Sequence, residues 1–408
     1  MRVKTKYEPT LNEITRRLAA IRTLNPDGRP AFKAGEYSLI ISVLESAIDF
    51  NPEIPHPDRP GLLRNAVSDA ARGSELTPEI LRKHLAGAEK EYLKKPLQDF
   101  VLATAFGVER HRGLKSTRIN QVQISFAESL PRRFDRSEIA NRIEEVAPNP
   151  PTNVTHVFAR VSARTPTAAF DQAQMSVDLI RALWNYVLNY GSYQLFHIGQ
   201  SRPVNAILPG RVHTLHRPDG KLIEEIFWYE PQAFQPQWVY VADEKWPTVL
   251  KRAAKLLRRL RSLPYRREIE DALIRYVRAL DDIDARSSFN RMWGVLEYLT
   301  DSIGNYEALI TRGSFLSPDN ERIFVQMLLQ HLRDVRNAVI HADEERLNIR
   351  TYLDQVKLAT ERLLMFHFRN GKRFGSRAAA AVILDTPVDR AILKQRMKNY
   401  RWALRRRW

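Results

Sequence analysis

The stretch LRDVRNAVIHADEE, residues 332–345, combines the pattern of an amphipathic helix with a group of polar side chains. Its apolar residues recur at three- and four-residue spacing, which is typical of a helix with one buried face. Between them stand Arg336, Asn337 and His341, which are residue types that bind anions, orient hydroxyl groups and move protons. The stretch therefore predicts a helix that carries chemically useful groups.

Helical geometry separates these polar residues. Asn337 and His341 are four residues apart and share a face, and Arg333 extends the same stripe. Arg336 lies about 140° from His341 at 100° per residue. For both to act on one phosphate, the helix must end near the motif, the long arginine side chain must reach round, or two protomers must pair.

Residues 246–371 around the motif are predicted to form four or five amphipathic helices with short loops, which is an up-down bundle. Ser317-Pro318-Asp319 predicts the start of the motif helix. A last long helix is expected over about 346–369, with Asn370-Gly371 as a left-handed stop. The residues expected on the core face of the motif helix are Phe324, Leu328, Leu332, Val335 and Val339.

The motif resembles that of the HEPN domain family, in particular its Apea-like group. That family carries an Arg, a following polar residue and a His four to six residues after the Arg, and Arg336, Asn337 and His341 match this pattern. The upstream FNRMWGVLEYLTDSIGNYEALITR, residues 289–312, resembles the preceding helix pair of that group, with an acidic residue at Glu297.

The resemblance covers roughly residues 267–370 and implies an all-α HEPN-like bundle with metal-independent endoribonuclease activity. It implies that two motifs meet across a dimer interface, so we expect a homodimer or higher homo-oligomer. It also implies a cyclic-phosphate product, no cofactor and no metal. Related nucleases act in antiviral defence and as toxins, where an upstream domain controls the activity.

The residue types suit RNA, whose 2′-hydroxyl attacks the adjacent phosphate and which DNA lacks. We assign proton transfer to His341, phosphate binding and transition-state stabilisation to Arg336, and orientation of the hydroxyl or ribose to Asn337. Glu297 and Arg333 are candidates for a supporting role.

A structural interpretation of the motif stays open. In it Arg336 pairs with Asp334, Asp343 or Glu344, and His341 caps the end of the helix. The protein would then be a non-catalytic RNA-binding or scaffold protein that uses the bundle for dimerisation.

The spacing of Arg and His is not specific by itself, because it recurs at Arg211…His216 and within RLLMFH, residues 362–367. The second copy has Leu363 where the family has a polar residue. His213 and His216 could suggest a metal pair, but residues three apart on a strand point to opposite faces, so we expect no metal site.

The composition is that of a folded, strongly basic protein. The chain has 408 residues, 44% hydrophobic residues and a net charge of +17, which favours a polyanionic partner, nucleic acid first and an acidic membrane surface second. The absence of cysteine excludes disulfides, thiolate nucleophiles and zinc fingers. Short apolar runs and the lack of a signal-like segment predict a cytoplasmic protein without membrane contact.

Residues 372–408 form a basic tail with interleaved aromatic residues, which suits phosphates and stacked bases. A solvated terminal helix packed by its tryptophans is an equal alternative. The predicted nucleic-acid-binding residues are Lys394, Arg396, Lys398, Arg401, Arg405, Arg406 and Arg407.

The sequence before the bundle predicts two further regions, which make the N-terminal part α+β. Residues 1–107 are expected to be mainly helical, and residues 108–245 to form an α+β domain with a hairpin turn at Asp219-Gly220. The resemblance implies that this part senses a trigger ligand or protein. The predicted helices are 9–22, 36–49, 77–93 and 167–188, and the clearest strands are 119–127 and 155–163.

Overall fold

The computed structural model describes residues 1–109, 111–148, 154–192, 202–230, 241–341, 348–387 and 389–406, with the side chains of residues 224–226, 340 and 341 outside the description. Within these ranges the chain forms fourteen α-helices and ten strands. This is a mixed α+β protein with a helical C-terminal part, as the sequence predicts. No helix in the described ranges is long and apolar enough to cross a bilayer.

The chain divides into two compact units, each assembled from separate stretches. Unit 1 comprises Met1–Leu102, Arg160–Gln174 and Leu215–Glu224. Unit 2 comprises Ala103–Ala159, Met175–Thr214 and Glu225–Trp408. The units do not follow the four consecutive segments expected from the sequence, 1–107, 108–245, 246–371 and 372–408.

The first eight elements belong to unit 1. They are β1 (Arg2–Val3), α1 (Glu8–Ile21), β2 (Arg22–Leu24), β3 (Pro30–Phe32), α2 (Ala34–Ala47), β4 (Ile48–Asp49), α3 (Arg59–Ala70) and α4 (Pro78–Lys94). Helices α1, α2 and α4 confirm the predicted segments, and the Thr77 side chain caps α4 by accepting from the Ile80 amide. Helix α3 is not among the predicted helices, although Pro60 in its first turn suits a helix start.

A six-stranded sheet follows, with the order β10-β9-β5-β8-β7-β6. Its strands are β5 (Gln98–Phe106), β6 (Thr117–Ile119), β7 (Val122–Ala127), β8 (Thr155–Ala163), β9 (Val212–His216) and β10 (Leu222–Tyr229). The expectation of a mainly helical stretch to residue 107 is wrong for β5. Residues 100–104 of β5 are all buried, so the strand lacks the alternation that a half-exposed strand shows. Gly220, at φ 99°, forms the predicted hairpin turn before β10.

Two helices accompany the sheet, α5 (Ala140–Val146) and α6 (Pro166–Asn189). The C-terminal helices are α7 (Trp246–Arg261), α8 (Arg266–Leu280), α9 (Ala285–Leu299), α10 (Tyr306–Ser314), α11 (Arg322–His341), α12 (Ile349–Asn370), α13 (Arg377–Leu384) and α14 (Arg390–Arg405). Helix α9 packs against α8 and α12, and α11 packs against α10 and α9. Helices α8 to α12 each bury an apolar face, which confirms that the C-terminal part is helical and amphipathic.

Gly371 does not form the expected left-handed stop of α12. Its φ of −58° is helical, and the chain continues into a short 3₁₀ helix, Gly371–Arg373. A Cβ at this position would lie 2.7 Å from Leu263 Cδ2 and 2.8 Å from Tyr265 Oη. Glycine is therefore required by close packing rather than by backbone conformation.

Stability is expected to fall at acidic pH because of His367, which is fully buried in α12. Its Nε2 lies 3.3 Å from the Leu299 carbonyl, to which it donates, and its Nδ1 lies 3.0 Å from the Tyr265 hydroxyl. Burial lowers the pKa of His367 to about 4. Below pH about 6.5 this histidine becomes protonated in the unfolded chain, whereas in the folded chain it stays neutral down to pH about 4. The free energy of unfolding therefore falls by roughly 3 kcal/mol as the pH is lowered from about 6.5 to 4.

Urea unfolding at pH 7 and pH 4.5 measures this loss. The His367→Gln variant should be less stable at pH 7 but lose less stability on acidification than the wild type. His331→Gln, at an exposed histidine of α11, is the control and should follow the wild-type profile. Equal pH dependence of His367→Gln and the wild type would contradict the assignment.

Candidate functional site

The motif lies in the last two turns of α11, and the helix is continuous through it. Arg336 and Asn337 are half-buried, and His341 is the last helical residue. The His341 side chain and residues 342–347 lie outside the described part of the structure. The described part of α11 therefore carries Arg336, Asn337 and His341 on one unbroken helix.

The Arg336 side chain contacts the amide side chain of its neighbour Asn337 and the hydroxyl of Tyr306. Its Nη1 donates to Asn337 Oδ1 at 3.3 Å and to the Tyr306 hydroxyl at 3.0 Å. These two bonds use both donors of Nη1 and fix the orientation of the guanidinium plane. Arg336 and Asn337 are therefore in direct contact within one protomer.

Tyr306 is a member of this site that the sequence analysis missed. Asn305 caps α10 by accepting from the Ala308 amide at 3.1 Å, and this makes Tyr306 the first residue of the helix. The Tyr306 ring lies 6.4 Å from that of buried Trp293, centroid to centroid. The only sequence signal was the capping residue, because the partners Tyr306 and Arg336 are 30 positions apart.

Glu297 is connected to the site only through the aromatic residues. Its Oε1 accepts a hydrogen bond from Trp293 Nε1 at 3.0 Å, one turn earlier on α9. Trp293 in turn faces Tyr306, which holds Arg336. Glu297 therefore orients Trp293 by a hydrogen bond. Among the described contacts, Glu297 forms none with Arg336.

The charge of Arg336 is not neutralised by any residue that the structure describes. Asp334, one of the expected partners, pairs instead with Arg333, whose Nη2 lies 2.7 Å from its Oδ1. Asp343 and Glu344, the other two, lie outside the described residues. Tyrosine hydroxyl and amide oxygens orient the guanidinium without cancelling its charge, and its Nε and Nη2 make no hydrogen bond to described residues. These two nitrogens form the edge of the guanidinium with which an arginine can bind a phosphate through two parallel hydrogen bonds.

The N-terminal half of α11 exposes large apolar side chains. Ile323, Phe324 and Met327 are 71%, 68% and 61% exposed, so the expectation that Phe324 faces the core is wrong. Leu329, Leu332 and Val335 provide the buried face instead. His341 follows Ile323 by 18 residues, which is five full helical turns, so the two positions share a face of α11.

The other two Arg–His copies do not form comparable sites. His367 is fully buried in α12, and His216 is buried with its Nδ1 2.8 Å from the Gly220 carbonyl. His213 is also buried, 2.6 Å from Thr104 Oγ1. Within the described ranges no group of three or more His, Cys, Asp or Glu side chains is arranged to hold a metal ion.

Helix α14 is exposed along its whole length, and none of its described residues is buried. At 100° per residue its cations form one stripe beside an apolar stripe of Leu393, Met397, Tyr400 and Leu404. Arg396 lies away from the cationic stripe, Arg406 stacks on Trp402 at 4.2 Å, and Arg407 is outside the described residues. The cations of the stripe are Arg390, Lys394, Lys398, Arg401 and Arg405.

Comparison with known proteins gives no assignment: the chain matches no family model, no curated protein and no solved structure.

Proposed function

We propose that this protein is a metal-independent endoribonuclease of the HEPN type, regulated as a toxin or in antiviral defence. The observation that carries the proposal is the state of Arg336, a half-exposed guanidinium held by Tyr306 and Asn337 and paired with no described carboxylate. A cation kept in place by neutral partners is prepared to bind an anion. The proton-transfer residue His341 follows Asn337 by one helical turn.

The proposed reaction needs only groups of the protein and the RNA. The 2′-hydroxyl oxygen forms a bond to the adjacent phosphorus, the bond from phosphorus to the 5′-oxygen breaks, and a 2′,3′-cyclic phosphate results. One proton leaves the 2′-hydroxyl and one is delivered to the 5′-oxygen, which is general acid–base work suited to His341. The Nε and Nη2 edge of Arg336 stabilises the charge that develops on the phosphate oxygens.

A dimer supplies the second acid–base group in this proposal. The exposed residues Ile323, Phe324 and Met327 share a face of α11 with the position of His341. Apolar side chains on a monomer surface favour burial against a partner. His341 lies about 27 Å along α11 from Ile323, so a second copy whose α11 runs in the same direction along this face would place the two His341 positions at one interface.

Phe324→Glu is expected to convert a dimer into a monomer, because it places a charge within the apolar contact. The measurement is the sedimentation velocity of the wild type and the variant at equal concentrations. Val382→Glu replaces an equally exposed apolar residue of α13 and serves as the control, which should remain dimeric. A wild type that sediments as a monomer, or a dimeric Phe324→Glu variant, would contradict this interface.

The proposed activity is tested by incubating the full-length protein with total RNA in EDTA, beside His341→Ala. We expect the wild type alone to cleave and to leave 2′,3′-cyclic phosphate ends. Cleavage by both proteins would show that the active site does not depend on His341. Binding of RNA without cleavage by either would favour the second candidate, a non-catalytic RNA-binding protein, for which the exposed cations of α14 provide the binding surface.

A further inference from the structure

Unit 2 contains a cavity of about 320 Å³ that lies between α6, α7 and α12 and is separate from the residues around Arg336. Its floor is apolar and aromatic, formed by Tyr186, Leu256 and Met365. Its other lining residues are Val187, Tyr190, Arg252, Lys255, Arg259 and Arg369. The volume lies at the lower end of the range for small-ligand sites, which is about 300–1,000 Å³.

Four of the lining residues are cations, and the lining contains no acid. Arg252, Lys255 and Arg259 occupy one face of α7, and Arg369 comes from the last turn of α12. None of the four forms an ion pair with a described residue. Helix α7 contains no Asp or Glu, and α12 contains none after Glu361. The cavity therefore carries a concentrated positive charge without an internal counter-ion, which an anionic ligand would complement.

The aromatic side is held in place by its surroundings. The Tyr186 hydroxyl donates to the Glu361 carbonyl at 3.0 Å, so this ring forms a fixed, buried floor. Tyr190 follows the end of α6 and remains exposed, with its ring 5.4 Å from that of Tyr186. Gly191, at φ 72°, turns the chain after it and donates to Glu361 Oε2 at 3.0 Å. Tyr190 is thus a partly exposed aromatic residue that lines the same cavity as the cations.

We propose that this cavity binds a nucleotide, with its base against Tyr190 and its phosphates on the four cations. An aromatic ring next to arginines is the combination that binds a base together with its phosphate. The nucleotide comes either from solution or from a single strand of RNA. The site is distinct from the proposed cleavage site and does not require that site to be catalytic.

Binding is measured by calorimetry in EDTA with three probes: ATP, tripolyphosphate and a 2′-O-methyl oligoadenylate of ten residues, which cannot be cleaved through a 2′-hydroxyl. Arg252→Ala/Arg259→Ala should weaken binding of ATP or of the oligonucleotide at least about tenfold, since two phosphate contacts are removed. Lys251→Ala/Arg258→Ala removes two cations of α7 that do not line the cavity and should change the dissociation constant less than about twofold. Tyr190→Ala should weaken the nucleotide probes and leave tripolyphosphate binding unchanged.

The outcomes separate the sources of the ligand. If Arg252→Ala/Arg259→Ala weakens the binding of ATP, the ligand is a free nucleotide. If this variant weakens the binding of the oligonucleotide alone, the ligand is a nucleotide within single-stranded RNA. Equal effects of the two double variants, or no effect of Tyr190→Ala on either nucleotide probe, would overturn the proposal. Arg336→Ala should retain this binding, so loss of cleavage and loss of binding report on different sites.

Discussion

Replacing Arg336 with alanine is expected to lower the rate of RNA cleavage in EDTA by about 10²- to 10³-fold, the usual effect of removing one donor that stabilises a transition state. The guanidinium is oriented by Tyr306 and Asn337 and is paired with no described acid, so its charge is available to the substrate. Because the side chain is half-buried and forms only two described hydrogen bonds, the alanine variant should still fold.

A conservative variant and a matched control test whether Arg336 acts through its fork of donors. Arg336→Lys keeps the positive charge but loses the fork of donors, so we expect it to recover only part of the rate. Arg362→Ala removes the exposed arginine of the other helical Arg–His copy and should cleave at the wild-type rate. Wild-type cleavage by Arg336→Ala, with urea unfolding unchanged, would remove this residue from the mechanism.

Lys357→Met is expected to reduce the free energy of unfolding by about 3–5 kcal/mol, which is typical when one member of a buried ion pair is removed. The Lys357 ammonium is fully buried and lies 3.1 Å from Glu361 Oε1. It also donates to the carbonyl oxygens of Asn189 at 3.0 Å and Ser192 at 2.9 Å. Methionine preserves most of the volume but removes the counter-ion of the buried Glu361 carboxylate, which keeps only Tyr276 and Gly191 as donors, and it removes the lysine donor of two carbonyls.

The double variant Lys357→Met/Glu361→Gln should recover part of this loss, since no uncompensated charge remains. Burial raises the pKa of Glu361, so the single variant should also lose less stability at acidic pH, where this carboxylate takes up a proton. Lys251→Met, at an exposed lysine, is the control and should change stability by less than about 0.5 kcal/mol. Urea unfolding at pH 7 measures all three, and a loss below about 1 kcal/mol for Lys357→Met would contradict the role of the pair.

Local sequence patterns determined most of the helices and the clearest turn. The apolar spacing in α8, α9 and α11 follows the helical period, and Thr77 and Gly220 mark a helix start and a hairpin by their own backbone preferences. Failures occurred where burial removed the local signal. Strand β5 is buried through residues 100–104 and therefore shows no alternation.

The sequence by itself determined where the motif residues stand along a helix, because three- and four-residue spacing fixes a helical face. Only the tertiary structure decided which partners these residues meet. Tyr306 holds Arg336 from 30 positions away, and Lys357 caps the end of α6 from 168 positions away. The exposure of Phe324 likewise depends on which neighbours α11 packs against. Such contacts depend on how helices are brought together, and the spacing of residues within one helix carries no information about it.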